Sequence, residues 1–174
     1  TYTGSTLVFT RTKHGAKKVT RQVRALGFAA AEIHSNRSLS QRKEALAGFK
    51  SGQYRVLVAT DIAARGIDVV GIELVLNYDL PSTSDDYVHR IGRTARAGAA
   101  GHAITFAQPG QQNEIRSIER LIRKSLSVSK LPELPILPHM AFVDEPRDRP
   151  YRSQNFRHRG FQRRSRGGSR SSRY

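Results

Sequence analysis

Arg55-Val56-Leu57-Val58-Ala59-Thr60 constrains this chain more than any other stretch. It is a near-continuous apolar run, without the alternation of a strand that has one wet face. Short runs of this kind belong to parallel sheets buried on both faces. A parallel sheet needs helical crossovers, and the flanking sequence supplies them. Residues 6–10 read as a buried strand. Residues 14–26 then place Ala16, Val19, Val23 and Leu26 at helical spacing, with Gly27 as the C-cap. Residues 28–33 give a second strand. Ser38 or Ser40 can cap the next helix, which turns Ala45, Leu46 and Phe49 inward and stops near Ser51-Gly52. A short helix or turn around residues 62–64 follows the opening strand. Residues 72–78 and 101–107 supply a fourth and a fifth strand, and residues 111–125 a last amphipathic helix using Ile115, Ile118, Leu121 and Ile122.

Alternation with short links predicts an α/β domain, a parallel sheet with helices on both faces. Ligands of such sheets gather at the carboxyl ends of the strands. Those ends hold Thr10-Arg11-Thr12, His34-Ser35-Asn36-Arg37, Thr60-Asp61 and Asp79.

A second feature is the arginine row within residues 87–98. Thr83 or Ser84 can cap a helix there, and Asp85 and Asp86 suit its first turn. At helical spacing Val88, Ile91 and Ala95 share one face, expected to pack inward, and Arg90, Arg93 and Arg96 fall on an arc of roughly 120° opposite. Like charges three residues apart weaken a helix, so local stability does not account for the row. A polyanion would; for an arginine row taken alone, a solvated basic face is the simpler reading.

Lys and Arg number 30 against 14 Asp and Glu, a net charge of +16. Such an excess points to an anionic partner such as nucleic acid. Residues 150–174 carry eight Arg and no acidic residue, about half of that charge. Residues 131–143 read as a Pro-rich strap or linker after a domain spanning 1–130. Residues 144–174 read as a disordered Arg/Gly/Ser-rich tail, whose Tyr151, Phe156, Phe161 and Tyr174 suit RNA binding by charge and stacking. A merely solubilising tail is the alternative. No apolar run approaches a membrane span, so no membrane partner is expected, and the absence of Cys fits the cytoplasm. The six His show no metal-ligand spacing, and no metal site is expected in this chain. The abrupt start at Thr1-Tyr2-Thr3-Gly4 reads as a piece of a longer protein.

Three groups occur in order: Leu7-Val8-Phe9-Thr10-Arg11-Thr12-Lys13; Val58-Ala59-Thr60-Asp61-Ile62-Ala63-Ala64-Arg65-Gly66-Ile67-Asp68; and His89-Arg90-Ile91-Gly92-Arg93-Thr94-Ala95-Arg96. Together they resemble motifs IV, V and VI of the second RecA-like domain of a DEAD-box RNA helicase, with wording similar to the bacterial RhlE-type subgroup. His89 carries part of the assignment, since related superfamily-2 enzymes often have Gln there. The resemblance covers roughly residues 5–125 and implies a RecA-like fold.

It also implies roles. Arg93 and Arg96 resemble arginine fingers that reach ATP phosphates across a cleft, and Asp68 the carboxylate that binds the nucleotide ribose. His89 and Arg90 resemble contacts that couple the two domains. Thr12, Lys13, Thr60 and Gly66 resemble RNA-backbone contacts, as does Arg42, the Arg of a Gln-x-x-Arg motif. Phosphate contacts of this kind position RNA without reading its sequence. Taken singly, Thr12 is an ordinary helix N-cap and Asp68 an ordinary turn residue. Two positions depart from the family pattern. Leu39 replaces the Gln of Gln-x-x-Arg, with Gln41 out of register, and Ala95 stands where Gly is common. Because Ala favours a helix more than Gly does, the arginine geometry is expected to survive.

No Gly-x-x-x-x-Gly-Lys-Ser/Thr loop and no Asp-Glu-Ala-Asp run occurs. Those elements cradle phosphates and hold Mg²⁺. The resemblance therefore implies half of an ATPase site, inactive alone, completed by the N-terminal RecA-like domain of the same protein with its ATP and Mg²⁺. Ribosomal or RNA-decay proteins are the further partners it suggests. Two rival readings are a stand-alone RNA-binding adaptor and a DNA-directed helicase. The adaptor has no use for Arg93, Arg96 and Asp68, and His89 speaks against the DNA enzyme.

Overall fold

The computed structural model of the protein describes residues 2–65, 67–95 and 101–129. Gly66, Arg96, the strap and the tail lie outside the described residues. The elements run β1 (Ser5–Phe9), α1 (Lys13–Ala25), β2 (Ala30–Ile33), α2 (Leu39–Lys50), β3 (Val56–Ala59), α3 (Asp61–Ala64), β4 (Ile72–Asn77), α4 (Ser84–Ile91), β5 (His102–Thr105) and α5 (Gln112–Ile122). The strands form one parallel sheet in the order β2-β3-β1-β4-β5.

The opening run is β3, paired on both edges, and Leu57, Val58 and Ala59 have no exposed surface. Alternate residues feed two cores. Leu7, Phe9, Leu57 and Ala59 join Ala45 and Phe49 of α2 and Ala63 and Ala64 of α3. Val8, Val56 and Val58 meet Ala16 and Val19 of α1 on the other face. A third cluster, Leu80, Tyr87 and Ile118, joins α4 to α5.

Helix starts follow their caps. Thr12 Oγ1 accepts from Gly15 N–H at 3.0 Å. Ser38 forms a reciprocal capping box with Gln41, which gives the out-of-register Gln41 a structural job. Thr83 caps α4, with Asp85 and Asp86 in its first turn. Strand β2 starts at Ala30 rather than Phe28. Gly27, at φ 86°, first turns the chain out of α1, and Phe28 stays half-exposed with the Arg55 guanidinium 5.5 Å from its ring centroid.

The arginine segment departs from expectation. Helix α4 ends at Ile91 with Gly92 as its C-cap, so Arg93 and Ala95 are not helical. Ala95 sits at φ 55°, the left-handed region, so its helix propensity has no bearing on the arginine geometry. The Gly common there in the family is the residue that enters this region without strain. Nor does Arg90 lie on a solvent face. It is 2% exposed whereas Val88 is 40% exposed. The helical projection assumed that apolar residues take the inner face; here charge partners inside the domain compensate the buried guanidinium.

Candidate functional site

The sheet register aligns Ile33, Ala59, Phe9, Asn77 and Thr105 in one row at the carboxyl ends of the strands. Beyond Ile33, Ala59 and Phe9, after links of one to five residues, come the starts of α2, α3 and α1, following three neighbouring strands. Unpaired N–H groups and the helix dipole make such starts favourable to anions. The sequence-derived residues Thr12, Lys13, Arg42 and Thr60 belong to these segments. Thr12 is exposed and already engaged as a cap, so its capping role is real. Lys13 Nζ donates to Asn36 Oδ1 at 3.1 Å, tying α1 to the β2–α2 loop. Arg42 is half-buried in the second turn of α2. Thr60 is the N-cap of α3 by backbone geometry, yet its hydroxyl makes no capping bond.

A second group lies between α3 and α4. Arg90 binds Asp61 with both prongs of its guanidinium, Nε to Oδ1 at 2.6 Å and Nη2 to Oδ2 at 2.8 Å. Its Nη1 donates to Asp79 O at 2.6 Å and Asn77 Oδ1 at 3.2 Å, and the group stands 5.0 Å from the Phe9 ring centroid. Four donor contacts and an aromatic face offset the desolvation of a fully buried cation. Arg90 thus joins the start of α3, the end of β4 and α4 within one domain. Beside it, a cleft of about 220 Å³ is lined by Asp61 and Arg65 from one side and by Asp86, His89 and Arg93 from the other. His89 is exposed on α4.

Arg93 Nη1 donates to Ile67 O at 2.7 Å, which fixes the guanidinium beside the residue preceding Asp68. Asp68 itself is exposed. Next to Arg93, the buried Thr94 hydroxyl donates to Ile72 O at 2.5 Å and is 3.2 Å from Glu73 O. That contact anchors the segment to the first residues of β4. The predicted residues therefore fall into two places: Thr12, Lys13, Arg42 and Thr60 at the carboxyl edge of β1–β3, and Asp68, His89 and Arg93 along the α3–α4 side. Asp61 and Asn77 were missed as Arg90 partners, because nothing in their spacing marks them. The pairing of buried Glu32 with buried His34 and half-exposed Arg37 was also missed. His34 Nδ1 accepts from Asn36 N–H at 3.3 Å, Glu32 pairs with Arg37, and His34 Nε2 lies 3.5 Å from Glu32 Oε1. Burial pushes the His34 pKa below its usual value, against the pull of Glu32; Arg37 and Lys13 add to the lowering.

Sheet order, motif order and the cleft define a RecA-like α/β domain of the helicase type. Comparison with known proteins agrees. The helicase conserved C-terminal domain family matches residues 1–98, more than half of the chain, and the chain belongs to that family. DEAD-box ATP-dependent RNA helicase 30 of Arabidopsis thaliana is 46% identical over 119 residues, 68% of this chain and 20% of the relative. CshA of Bacillus licheniformis, a DEAD-box ATP-dependent RNA helicase, is 42% identical over 128 residues, 74% of this chain and 26% of the relative. The chain thus spans about a fifth to a quarter of the curated relatives it matches. Among solved structures, the Escherichia coli DEAD-box protein SrmB, bound to regulator of ribonuclease activity A, superposes with a TM-score of 0.69 at 33% identity, covering 73% of this chain and 75% of that one.

Proposed function

We propose that this chain is the C-terminal RecA-like half of a cytoplasmic ATP-dependent RNA helicase of DEAD-box type, in the bacterial RhlE-type subgroup. The observation that carries the reading is Arg93. Its bond to Ile67 O holds a guanidinium beside the residue that precedes Asp68, and Arg93 also lines the cleft. The donor types fit a nucleotide: a permanently charged fork for phosphate oxygens and a carboxylate for ribose hydroxyls. Bound ATP supplies the phosphoryl group whose transfer to water drives the cycle. Arg93, with Arg96, stabilises charge on the phosphates, and Asp68 orients the sugar. His89 meets the opposing N-terminal domain. Arg90 couples from inside, linking the start of α3 to α4.

Thr12, Lys13, Arg42 and Thr60 hold the RNA backbone at three neighbouring helix starts, independent of base identity, and Gly66 is assigned the same role. Yeast Dbp5, 32% identical over 67% of this chain with a TM-score of 0.63, has been solved bound to RNA and ADP BeF3, which supports both ligands. Among the described residues no cluster of three or more His, Cys, Asp or Glu is arranged to hold a metal ion. We assign Mg²⁺ ligation to the nucleotide and the N-terminal domain. Ribosomal or RNA-decay proteins remain the partners that this reading favours.

The test is ATP turnover by the complete protein with RNA or DNA added. Stimulation by RNA and not by DNA supports the assignment. Equal stimulation by DNA overturns the RNA specificity, and turnover indifferent to nucleic acid overturns the helicase reading.

A further inference from the structure

Helix α5 presents two unlike faces. Ile115, Ile118 and Ile122 turn inward toward Leu80 and Tyr87. Arg116 and Arg120 lie on the opposite side, and Arg123 and Lys124 extend the row just past the helix end; all four are exposed. They border a shallow depression of about 410 Å³, together with Glu119 and Ser125. Glu119, the one carboxylate there, is occupied as a cap: its Oε1 accepts Leu126 N–H at 2.8 Å. None of the four cations forms an ion pair with a described acidic residue.

Cations near a helix C-terminus are favoured by the dipole. That effect explains a basic last turn, but not two further details. Arg116 and Arg120 are a like-charged pair four residues apart within the helix, which weakens it. Arg123 is the C-cap at φ 53°, ψ 36°, in the left-handed region where glycine is the unstrained choice. The chain places an arginine where glycine would be easier.

We propose that this outer face of α5 is a second docking surface for the RNA phosphodiester backbone. It rests on the RNA reading above and adds a contact that reading does not contain. The surface is joined to α4, on the β4–β5 half of the domain, away from the helix starts at the ends of β1, β2 and β3. Its lining residues are all charged or polar in type, without the large apolar or aromatic anchors on which protein interfaces depend. Phosphate binding needs only the charge.

The experiment uses the full 174-residue chain and a fluorescent single-stranded oligouridylate, with anisotropy titrations over a series of KCl concentrations. The variants are R116Q/R120Q and R123G; the second suits its backbone angle and so removes charge without unfolding. Affinity is expected to fall several-fold in each. The slope of log K against log salt should shrink by roughly 1.4 for the double variant and roughly 0.7 for R123G, at about 0.7 per phosphate contact. Unchanged slopes in both overturn the proposal. So does loss of affinity for a polyglutamate peptide with RNA binding intact, which makes the face a protein-docking site. If R42Q and T60A weaken RNA binding while the α5 variants do not, the α5 inference fails alone. If the unmodified chain shows no salt-dependent RNA binding, the RNA reading fails with it.

Discussion

Arg90 and Asp61 form a two-pronged ion pair, at 2.6 and 2.8 Å, with the arginine only 2% exposed and the carboxylate on the first residue of α3. The pair fastens the α3 segment, which leads to Asp68, to the helix that leads to Arg93. Removing one partner leaves a charge in a poorly solvated place. Arg90→Met is therefore expected to destabilise the domain by about 3 kcal/mol in urea unfolding. Arg90→Lys keeps the charge but loses the fork, and should recover only part of the loss. A cost for Arg90→Met below about 1 kcal/mol, as for a surface pair, would remove this pair from the account.

Ala95 predicts a gain. At φ 55° it bears strain that glycine does not. Ala95→Gly should stabilise the domain by about 0.5–1 kcal/mol, the strain relief exceeding the added chain entropy. Thermal unfolding followed by circular dichroism reads the shift. A lower melting temperature would mean that the left-handed geometry is not maintained in solution.

His34 predicts a pH dependence. Its pKa is lowered in the fold by burial, so the unfolded chain takes up the proton first. The associated stability is fully present above the unfolded value, near 6.5. It is lost as pH falls from there through the lower folded value. Urea unfolding between pH 8 and pH 5 should show this loss in the natural chain and a flatter profile in His34→Asn. Equal slopes for the two would assign the pH dependence to other groups.

Two threonines separate stability from binding. Thr12 caps α1 with its side chain, and Thr12→Ala should cost about 1 kcal/mol. Thr60 makes no such bond, so Thr60→Ala should stay within about 0.5 kcal/mol of the natural chain. RNA affinity should fall in both. Paired urea and anisotropy measurements check the contrast; a stability loss from Thr60→Ala matching that from Thr12→Ala would make Thr60 a structural residue.

The sheet was legible because β3 is short, apolar and flanked by caps and glycines whose physics is local. Gly27 could be read for the same reason, and Ser38 and Thr83 each as one of two candidate caps. Arg90 could not. Its burial depends on Asp61 and Asn77, which approach only after the strands pair. The end of α4 at Ile91 was missed although Gly92 is a stop signal of the same kind as Gly27, because the spacing of Val88, Ile91 and Ala95 carries the apolar pattern past it. The left-handed angle at Ala95 has no signal in an alanine. The two-part division of the site, with one set at three helix starts and the other along α3 and α4, follows from strand order, which a linear pattern does not specify.

The central claim is that Arg93 completes an ATP site supplied from a partner domain. The most direct measurement is RNA-stimulated ATP hydrolysis by this chain alone, and by the complete two-domain protein with Arg93 intact or changed to Ala. The account predicts no turnover by the chain alone. It predicts RNA-stimulated turnover by the complete protein, and a loss of about 10³–10⁵-fold for Arg93→Ala. Turnover by the isolated chain, or turnover by the complete protein that survives Arg93→Ala, would contradict it.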